Sequence, residues 1–425
     1  MSGRFRFIHA ADLHLDTPFQ GVAGPAPEVA TALYEASLQA WDNVVDLAIE
    51  REAAFVLIAG DIYDGAERGV RAQLRFLSGL RRLESAGIQA FVVFGNHDPL
   101  DGWSAIRELP SNVVEFGPEE VASHTFAVEG TSVCIHGISY ATQDTQENLA
   151  RRFHADPGAA LNIGLLHTMV GSIAEHLSYA PCTLTDLDSA HMDYWALGHV
   201  HKQMFLREGG PWVAYPGDTQ GRSPKPSETG PKGVLVAEVA GSVIESVGFE
   251  TVDVVRFLHC PVDIQDAVDV GWLESRIVEL VDERRRASDG RSLLVRVVLE
   301  GRGAVAADLR REGTVPELAA RLRDVYSGRE PFVWIESIKD RSRGLLDLDE
   351  LRKGDGFRSV LLRYSDALVA DPGQAEKLLR DACEKLNRPV PVARALRELV
   401  DEDPAGLLSE ALELALDELE REEAR

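Results

Sequence analysis

Five apolar runs in the first half of the chain each lead into a short polar cluster. Phe5 to Ala10 predicts a strand running into Asp12-Leu13-His14, and Phe55 to Ala59 a strand ending in Gly60-Asp61-Ile62-Tyr63-Asp64. Ala90 to Phe94 leads into Gly95-Asn96-His97-Asp98, Leu161 to Leu166 into His167-Thr168, and Tyr194 to Leu197 into Gly198-His199-Val200-His201. Such runs read as strands buried on both faces. Between the first three, apolar residues recur at helical spacing from Val29 to Arg51, behind the breakers Pro25 and Pro27, and from Arg71 to Ala86, closed by Gly87. The order β-α-β-α-β predicts a parallel sheet with helical crossovers, whose ligand crevice lies beyond the carboxyl ends of its strands.

Further along, Trp103 to Phe116 reads as an irregular connection. Val121 to Val128, Thr131 to Ile138 and Trp212 to Tyr215 read as strands, and Gly233 to Val239 with Ser242 to Phe249 as a hairpin turning at Ala240-Gly241. A small α+β region follows: strands at Val254 to Val262, Ser292 to Glu300 and Phe332 to Ile338, with helices at Val268 to Arg285 and Val315 to Tyr326. From Leu345 the pattern is helical, with Asp371-Pro372 and Asp403-Pro404 as helix starts. In the last helix Leu408, Leu412, Ala415, Leu416 and Leu419 form one stripe, while Glu410, Glu413, Asp417, Glu420 and Glu423 lie elsewhere. That stripe fits packing on its own domain and docking on a partner equally well. The expected division is 1–251, 252–340 and 341–425.

Composition adjusts this picture in three ways. A formal charge of −25 counts against stand-alone binding to a polyanion. Many of the acids lie near the C-terminus, however, and acids that hold cations are neutralised locally, so DNA stays open as a substrate. No apolar run approaches the ~20 residues of a membrane span, and the short first run shows no signal-peptide architecture. The four scattered cysteines, Cys134, Cys182, Cys260 and Cys383, suit buried positions in a reducing cytoplasm and exclude a zinc ribbon.

The polar clusters carry the chemistry. Residues two apart on extended backbone share a side, so Asp12 and His14 are expected to converge on one ion. Asp61 after a glycine is placed to bridge. Asp64 reads as a turn or supporting acid, Asp16 as orienting a ligand or facing solvent, and His9 and His136 as packed. His124, His154, His176 and His191 read as surface or structural. Asp12, His14, Asp61, Asn96, His167, His199 and His201, with His97 beside them, form a mixed nitrogen and oxygen set without thiolate. That suits Mn²⁺, Fe²⁺ or Zn²⁺ in a hydrolase. The ligands exceed one tetrahedral ion and fit two ions ~3.5–4 Å apart, sharing one carboxylate and a bridging hydroxide that attacks phosphorus in line.

These motifs resemble those of the calcineurin-like metallophosphoesterases. Within them the chain looks like the SbcD-type DNA repair exonucleases, especially the YhaO-like branch. The branch resemblance rests on Tyr215-Pro216-Gly217-Asp218-Thr219-Gln220-Gly221-Arg222 and Glu228-Thr229-Gly230-Pro231-Lys232-Gly233. Asp218 stands where that pattern has Ser or Asn. The resemblance implies a four-layer α/β/β/α sandwich with a small α+β capping domain and a C-terminal helical region. It implies Asp12, His14, Asp61 and His201 around a first metal, and Asp61, Asn96, His167 and His199 around a second. His97 would act as general acid or hydrogen-bond donor, with Asp98 either orienting it or capping the next turn. It further implies Mn²⁺ as the metal, DNA as substrate, an SMC-like ABC ATPase whose coiled coil receives the C-terminal helices, and a homodimer. Lys202, Arg222, Lys225, Lys232 and Arg284 to Arg286 are candidate DNA contacts, each taken singly reading as an ordinary surface charge. The alternatives are a metallophosphoesterase for small phosphodiesters or phosphomonoesters, and a scaffold that recruits the ATPase.

Overall fold

The computed structural model describes residues 3–22, 26–65, 69–99, 108–171, 180–345, 348–385, 400 and 403–423. Pro25, Trp103 and His176 lie outside them. In chain order the first strands are β1 (Arg4–Ala10), β2 (Phe55–Ala59), β3 (Gln89–Val93) and β4 (Val113–Glu115). They are followed by β5 (Ala122–Val128), β6 (Thr131–Ile138), β7 (Leu161–His167), β8 (Tyr194–Gly198), β9 (Met204–Arg207) and β10 (Trp212–Tyr215), then by β11 (Gly233–Ala240) and β12 (Val243–Thr251). Two six-stranded sheets result, in the orders β12-β11-β1-β2-β3-β4 and β5-β6-β7-β8-β10-β9. β1 to β4 are mutually parallel, while β11 runs antiparallel to β1. The carboxyl ends of β1, β2 and β3 therefore open on one edge, and so do those of the parallel strands β6, β7 and β8.

The sheets face one another through Phe7, Phe55 and Phe91 from the first and Ile135, Ile163 and Tyr194 from the second. Phe7 stacks on Phe55 at 5.0 Å and meets the Tyr194 ring edge-on at 5.2 Å. Helices α1 (Pro27–Glu50) and α2 (Val70–Ser85) cover the outer face of the first sheet with Trp41, Val44, Phe76 and Leu80. The outer face of the second sheet is covered by Leu149, Phe153 and Leu187, the last on α3 (Leu184–Ser189). These are the four layers α/β/β/α. β4, β9 and α3 are additions to the sequence reading. β4 lies inside the stretch read as irregular. β9 is four half-buried residues with no alternation to betray it. α3 is only six residues long, but its capping box, Thr183 with Asp186, was a usable signal.

Beyond β12 come β13 (Val255–Asp263), α4 (Val270–Arg286), β14 (Ser292–Glu300), α5 (Ala306–Leu309), α6 (Thr314–Tyr326) and β15 (Val333–Asp340). The helices α7 (Leu348–Lys353), α8 (Phe357–Val369), α9 (Pro372–Lys385) and α10 (Pro404–Glu423) follow. The chain forms two compact units. One is Met1–Cys260 with Val278–Val297 and Ala319–Ile338, and the other is Pro261–Ile277 with Val298–Leu318 and Lys339–Arg425. In the first, Val29 and Leu33 of α1 pack on Val255, Phe257 and Leu294. In the second, Leu408 packs with Leu368 and Ala375, so the last helix spends part of its stripe on its own unit. Asp417, read as lying off the apolar stripe, is buried there and ion-paired with Arg302 at 2.9 Å and Arg343 at 3.2 Å. Among the described residues, no helix is long and apolar enough to cross a membrane. Cys134, Cys182 and Cys260 are buried thiols, and Cys383 is half-buried.

Candidate metal centre

The loops leaving β1, β2, β3, β7 and β8 bring the predicted clusters together. Ligand atoms of Asp12, His14 and His201 lie within 4.8 Å of one another, and so do those of Asp61, His167 and His199. Asp61 stands between the two groups: its Oδ2 is 3.4 Å from His167 Nε2 and 3.9 Å from His14 Nε2. Asn96 Oδ1 lies 3.0 Å from His167 Nε2 and 3.2 Å from His199 Nδ1. His199 and His201, two residues apart, serve different groups.

The backbone reaches this arrangement by a route other than the extended one expected. Asp12, His14 and Asp61 have φ of 51°, 41° and 51°, and His199 has φ 107°, all in the region disfavoured for side chains with a Cβ. Asp12 N donates to Gly60 O at 3.0 Å and His14 N to Asp61 O at 3.0 Å, which lashes the first two loops together. His199 N donates to both carboxylate oxygens of Asp12, at 3.1 Å each. Two glycines make the convergence possible. A Cβ on Gly95 would lie 2.3 Å from Asp61 Oδ1, and one on Gly198 would lie 1.8 Å from Ala59 O.

Three imidazoles have their far nitrogen committed. Nδ1 of His14 donates to Asp64 Oδ1 at 2.7 Å, Nδ1 of His167 to Ala59 O at 2.9 Å, and Nδ1 of His201 to Glu228 Oε1 at 2.6 Å. Fixing Nδ1–H in this way leaves Nε2 as the ligating atom, the usual device around metals. His14 Nε2 and His201 Nε2 face each other at 3.2 Å, which requires a proton or a cation between their lone pairs. Borderline nitrogen and oxygen donors, outer carboxylates and opposed lone pairs fit a pair of divalent cations.

Charges at the centre follow from burial and pairing. Burial pushes the Asp12 carboxyl up to about 6 and the His14 imidazole down to about 4. Burial works against the charge of Asp61 too, but His167, His14 and His97 outweigh it and hold this carboxyl below the ordinary range. Burial likewise opposes charge on His167 and His201, yet Asp61 lifts the first and Glu228 the second to about 9.

His97 is the exposed member of the set, its side chain 44% accessible. Its Nδ1 donates to Asp64 Oδ1 at 2.9 Å, and that bond raises its pKa. The carboxylate on the His97 ring is thus Asp64. Asp98 instead receives backbone amides, Ile62 N at 2.7 Å and Gly95 N at 2.8 Å, and so fastens the loops after β2 and β3 to each other. Asp64, read as a turn or supporting acid, is a shared acceptor for His14, His97 and Arg222. Glu228 was missed as a functional residue. Its signal in the sequence is a lone acid inside a Pro- and Gly-rich loop.

Several of the remaining expectations change on burial. Lys232 is buried, with Nζ 2.6 Å from Asp218 Oδ1 and 2.6 Å from His201 O, so it is not a surface contact for DNA. This ammonium also explains the acid at 218: His201, Asp218 and Glu228 form a further group of ligand type, and Lys232 supplies its positive charge. Arg222 is buried and sits within the centre. Lys202 and Lys225 are exposed, and Arg285 is paired with Asp282 at 3.4 Å. Asp16 pairs with Arg71 at 2.9 Å. His9 is packed, donating to Leu197 O at 3.1 Å, with burial pushing it down to about 3. His136 is buried between Ser123 and Asn162, His124 packs on Phe91 and Phe126, and His154 and His191 are exposed. Gln220 is buried next to the centre: its Oε1 accepts from Val254 N at 2.9 Å and Val255 N at 3.2 Å, and its Nε2 donates to Val255 O.

Residues 5–203 match the calcineurin-like phosphoesterase family, and residues 257–343 match the middle domain of metallophosphoesterase YhaO. The chain is 35% identical over 347 residues to a Bacillus subtilis (strain 168) protein named "uncharacterized metallophosphoesterase YhaO", spanning 81% of this chain and 84% of that one. It is 26% identical over 324 residues to the DNA double-strand break repair protein Mre11 of Haloferax volcanii, spanning 75% of this chain and 67% of that one. The protein of the same name from Halobacterium salinarum is 24% identical over 394 residues, spanning 88% and 92%.

Proposed function

The chain belongs to the calcineurin-like metallophosphoesterases, and from that premise we propose that it is a manganese-dependent DNA exonuclease, one subunit of a repair assembly. Asp12, His14, Asp61 and His201 would hold one divalent cation, and Asp61, Asn96, His167 and His199 the other. When bound, such a pair supplies positive charge that polarises the phosphodiester and acidifies a nearby water. The observation that carries the reading is Asp61, buried between two groups of imidazoles, three of which have their far nitrogen already committed. His97, its pKa raised by the bond to Asp64, stands at the exposed rim and is placed to give a proton to the leaving oxygen.

The assembly is proposed from the relatives named for DNA double-strand break repair and from the surface of α8. Phe357, Val360 and Tyr364 are 69%, 51% and 59% exposed at helical spacing, a face suited to a coiled coil of an SMC-like ATPase. In this reading residues 252–340 form a cap over the substrate, 341–425 bind the partner, and the ATPase supplies the grip on DNA that a chain of charge −25 lacks.

The test is digestion of end-labelled duplex DNA with Mn²⁺, Mg²⁺ or EDTA, with and without the ATPase, beside His97→Ala. Manganese-dependent trimming that the variant loses is the expected result. Cleavage of bis(p-nitrophenyl) phosphate with no trimming in either setting would leave a phosphoesterase for small diesters, a reading that the charge of −25 favours.

A further inference from the structure

We infer that Arg222 is a positioning residue for the first of the two cation sites and not the second: among the described residues it is the group that fastens both carboxylates aiming that site's imidazoles. The inference rests on the two-cation reading. Asp64 places Oδ1 on His14 Nδ1, at 2.7 Å, and on His97 Nδ1, at 2.9 Å; its other oxygen accepts from Arg222 Nη1 at 3.2 Å. Glu228 repeats the arrangement. Its Oε1 holds His201 Nδ1 at 2.6 Å, its Oε2 accepts from the backbone N of Arg222 at 2.8 Å, and Arg222 Nη2 lies 3.8 Å from Oε1.

A carboxylate gripped by one oxygen still turns about its side-chain bonds. Gripped by both, it fixes the ring it holds. The guanidinium thus locks Asp64 by a hydrogen bond and holds Glu228 by its charge, while the Arg222 amide bonds Glu228 directly; through these acids they hold His14 and His201, the pair whose Nε2 atoms face each other. A lysine in its place has no fork with which to span both acids. The second site is held without Arg222: His167 is fixed by the carbonyl of Ala59, and Asn96 bridges to His199. The Arg222 side chain is only 10% accessible, so the group is held in place rather than sampling solvent.

Position and charge predict opposite signs. As a cation beside a cation site, Arg222 would weaken metal binding, and removing it would tighten both sites. As a clamp, its removal loosens one. The experiment is calorimetric titration of Mn²⁺ into the metal-free full chain, with electron paramagnetic resonance to detect a spin-coupled pair, for wild type, Arg222→Gln and Arg222→Lys. Wild type is expected to bind two ions. Both variants should keep one ion at wild-type affinity, bind the other about 10–100-fold more weakly, and lose the coupled signal at limiting Mn²⁺. The retained ion also reports that the variants are folded.

Unchanged or tighter binding at both sites in Arg222→Gln would overturn the inference, as would equal loss of both ions. A higher KM for a model diester with both affinities unchanged would make Arg222 a substrate contact instead, and also overturns it. Failure of wild type to bind a pair removes the two-cation reading itself, and this inference with it.

Discussion

Gly95→Ala tests whether the crevice is as tightly built as its geometry indicates. A Cβ at this position lies 2.3 Å from Asp61 Oδ1 and 2.9 Å from Cδ2 and Cε1 of His167, whereas ordinary contact begins at 3.4 Å. The Asp61 carboxylate must therefore retreat by about 1 Å and the His167 ring by about half that, estimates that follow from the cost of overlap in a packed interior. Neither has room to move. Asp61 is 1% accessible and its Oδ1 is held by His97 N at 2.9 Å, and His167 is wholly buried. Displacing a group at the chemistry by roughly 1 Å costs about 10²-fold in rate, or ~2.7 kcal/mol of barrier, and overpacking adds about 1–3 kcal/mol of instability. Hydrolysis of bis(p-nitrophenyl) phosphate at saturating Mn²⁺ reads the first, and urea unfolding the second. Gly117→Ala is the control, because a Cβ there meets nothing within 4 Å. A Gly95→Ala protein within threefold of wild-type kcat would refute the reasoning, since the bridging carboxylate would then tolerate displacement.

Four further outcomes are expected. His97→Ala should lose about 10²–10⁴-fold in kcat, most severely for diesters with poor leaving groups; equal loss across leaving groups would deny it the role of acid. His167 and His201, raised to about 9 in the metal-free protein, are protonated at neutral pH, so loading with Mn²⁺ should release about two protons at pH 7 and progressively fewer towards pH 9, measurable by calorimetry in buffers of different ionisation enthalpy. The stability these two raised histidines contribute is fully present below pH 6.5 and is lost as pH rises through about 9, so melting of the metal-free chain should fall across that window. Asp417→Ala leaves Arg302 and Arg343 to share Glu413, at 3.2 and 3.8 Å; the arginines are 25% and 32% accessible, so the cost is discounted to about 1–2 kcal/mol, read as faster hydrogen exchange in α10 with diester turnover unchanged.

The sequence was most legible where burial is two-sided. β2, β6 and β10 have the very bounds read from the sequence, because a strand with almost no solvent face has little polar interruption to blur it, and β14 has its bounds from its alternation. Ligand-type residues at the ends of such runs were equally visible. Asp12 and His14 share a site, although the expected reason does not hold: the backbone at both residues is left-handed, held by loop-to-loop hydrogen bonds that no pattern announces. The supporting residues were less legible. Asp64, Glu228 and Arg222 look like any polar residues in turns, and their roles exist only once loops more than 150 residues apart meet, as Arg222 and Asp64 do. Lys232 reads as a surface base from its loop composition, and only the buried acid at 218 turns it inward.

The Gln220 carboxamide bears on whether the catalytic half is a separable module. Its partners are the main-chain groups of Val254 and Val255, just beyond the point where composition suggests a cut. A chain truncated after Thr251 would leave the Gln220 oxygen without its two amide donors and its Nε2 with Gly221 O alone, strip Val255 and Phe257 from the base of α1, and loosen the loop that carries Arg222. The phosphoesterase sandwich is therefore not an autonomous cassette: its own metal-side loop is sewn to the backbone at the start of β13, and transplanting it intact requires carrying at least that strand along.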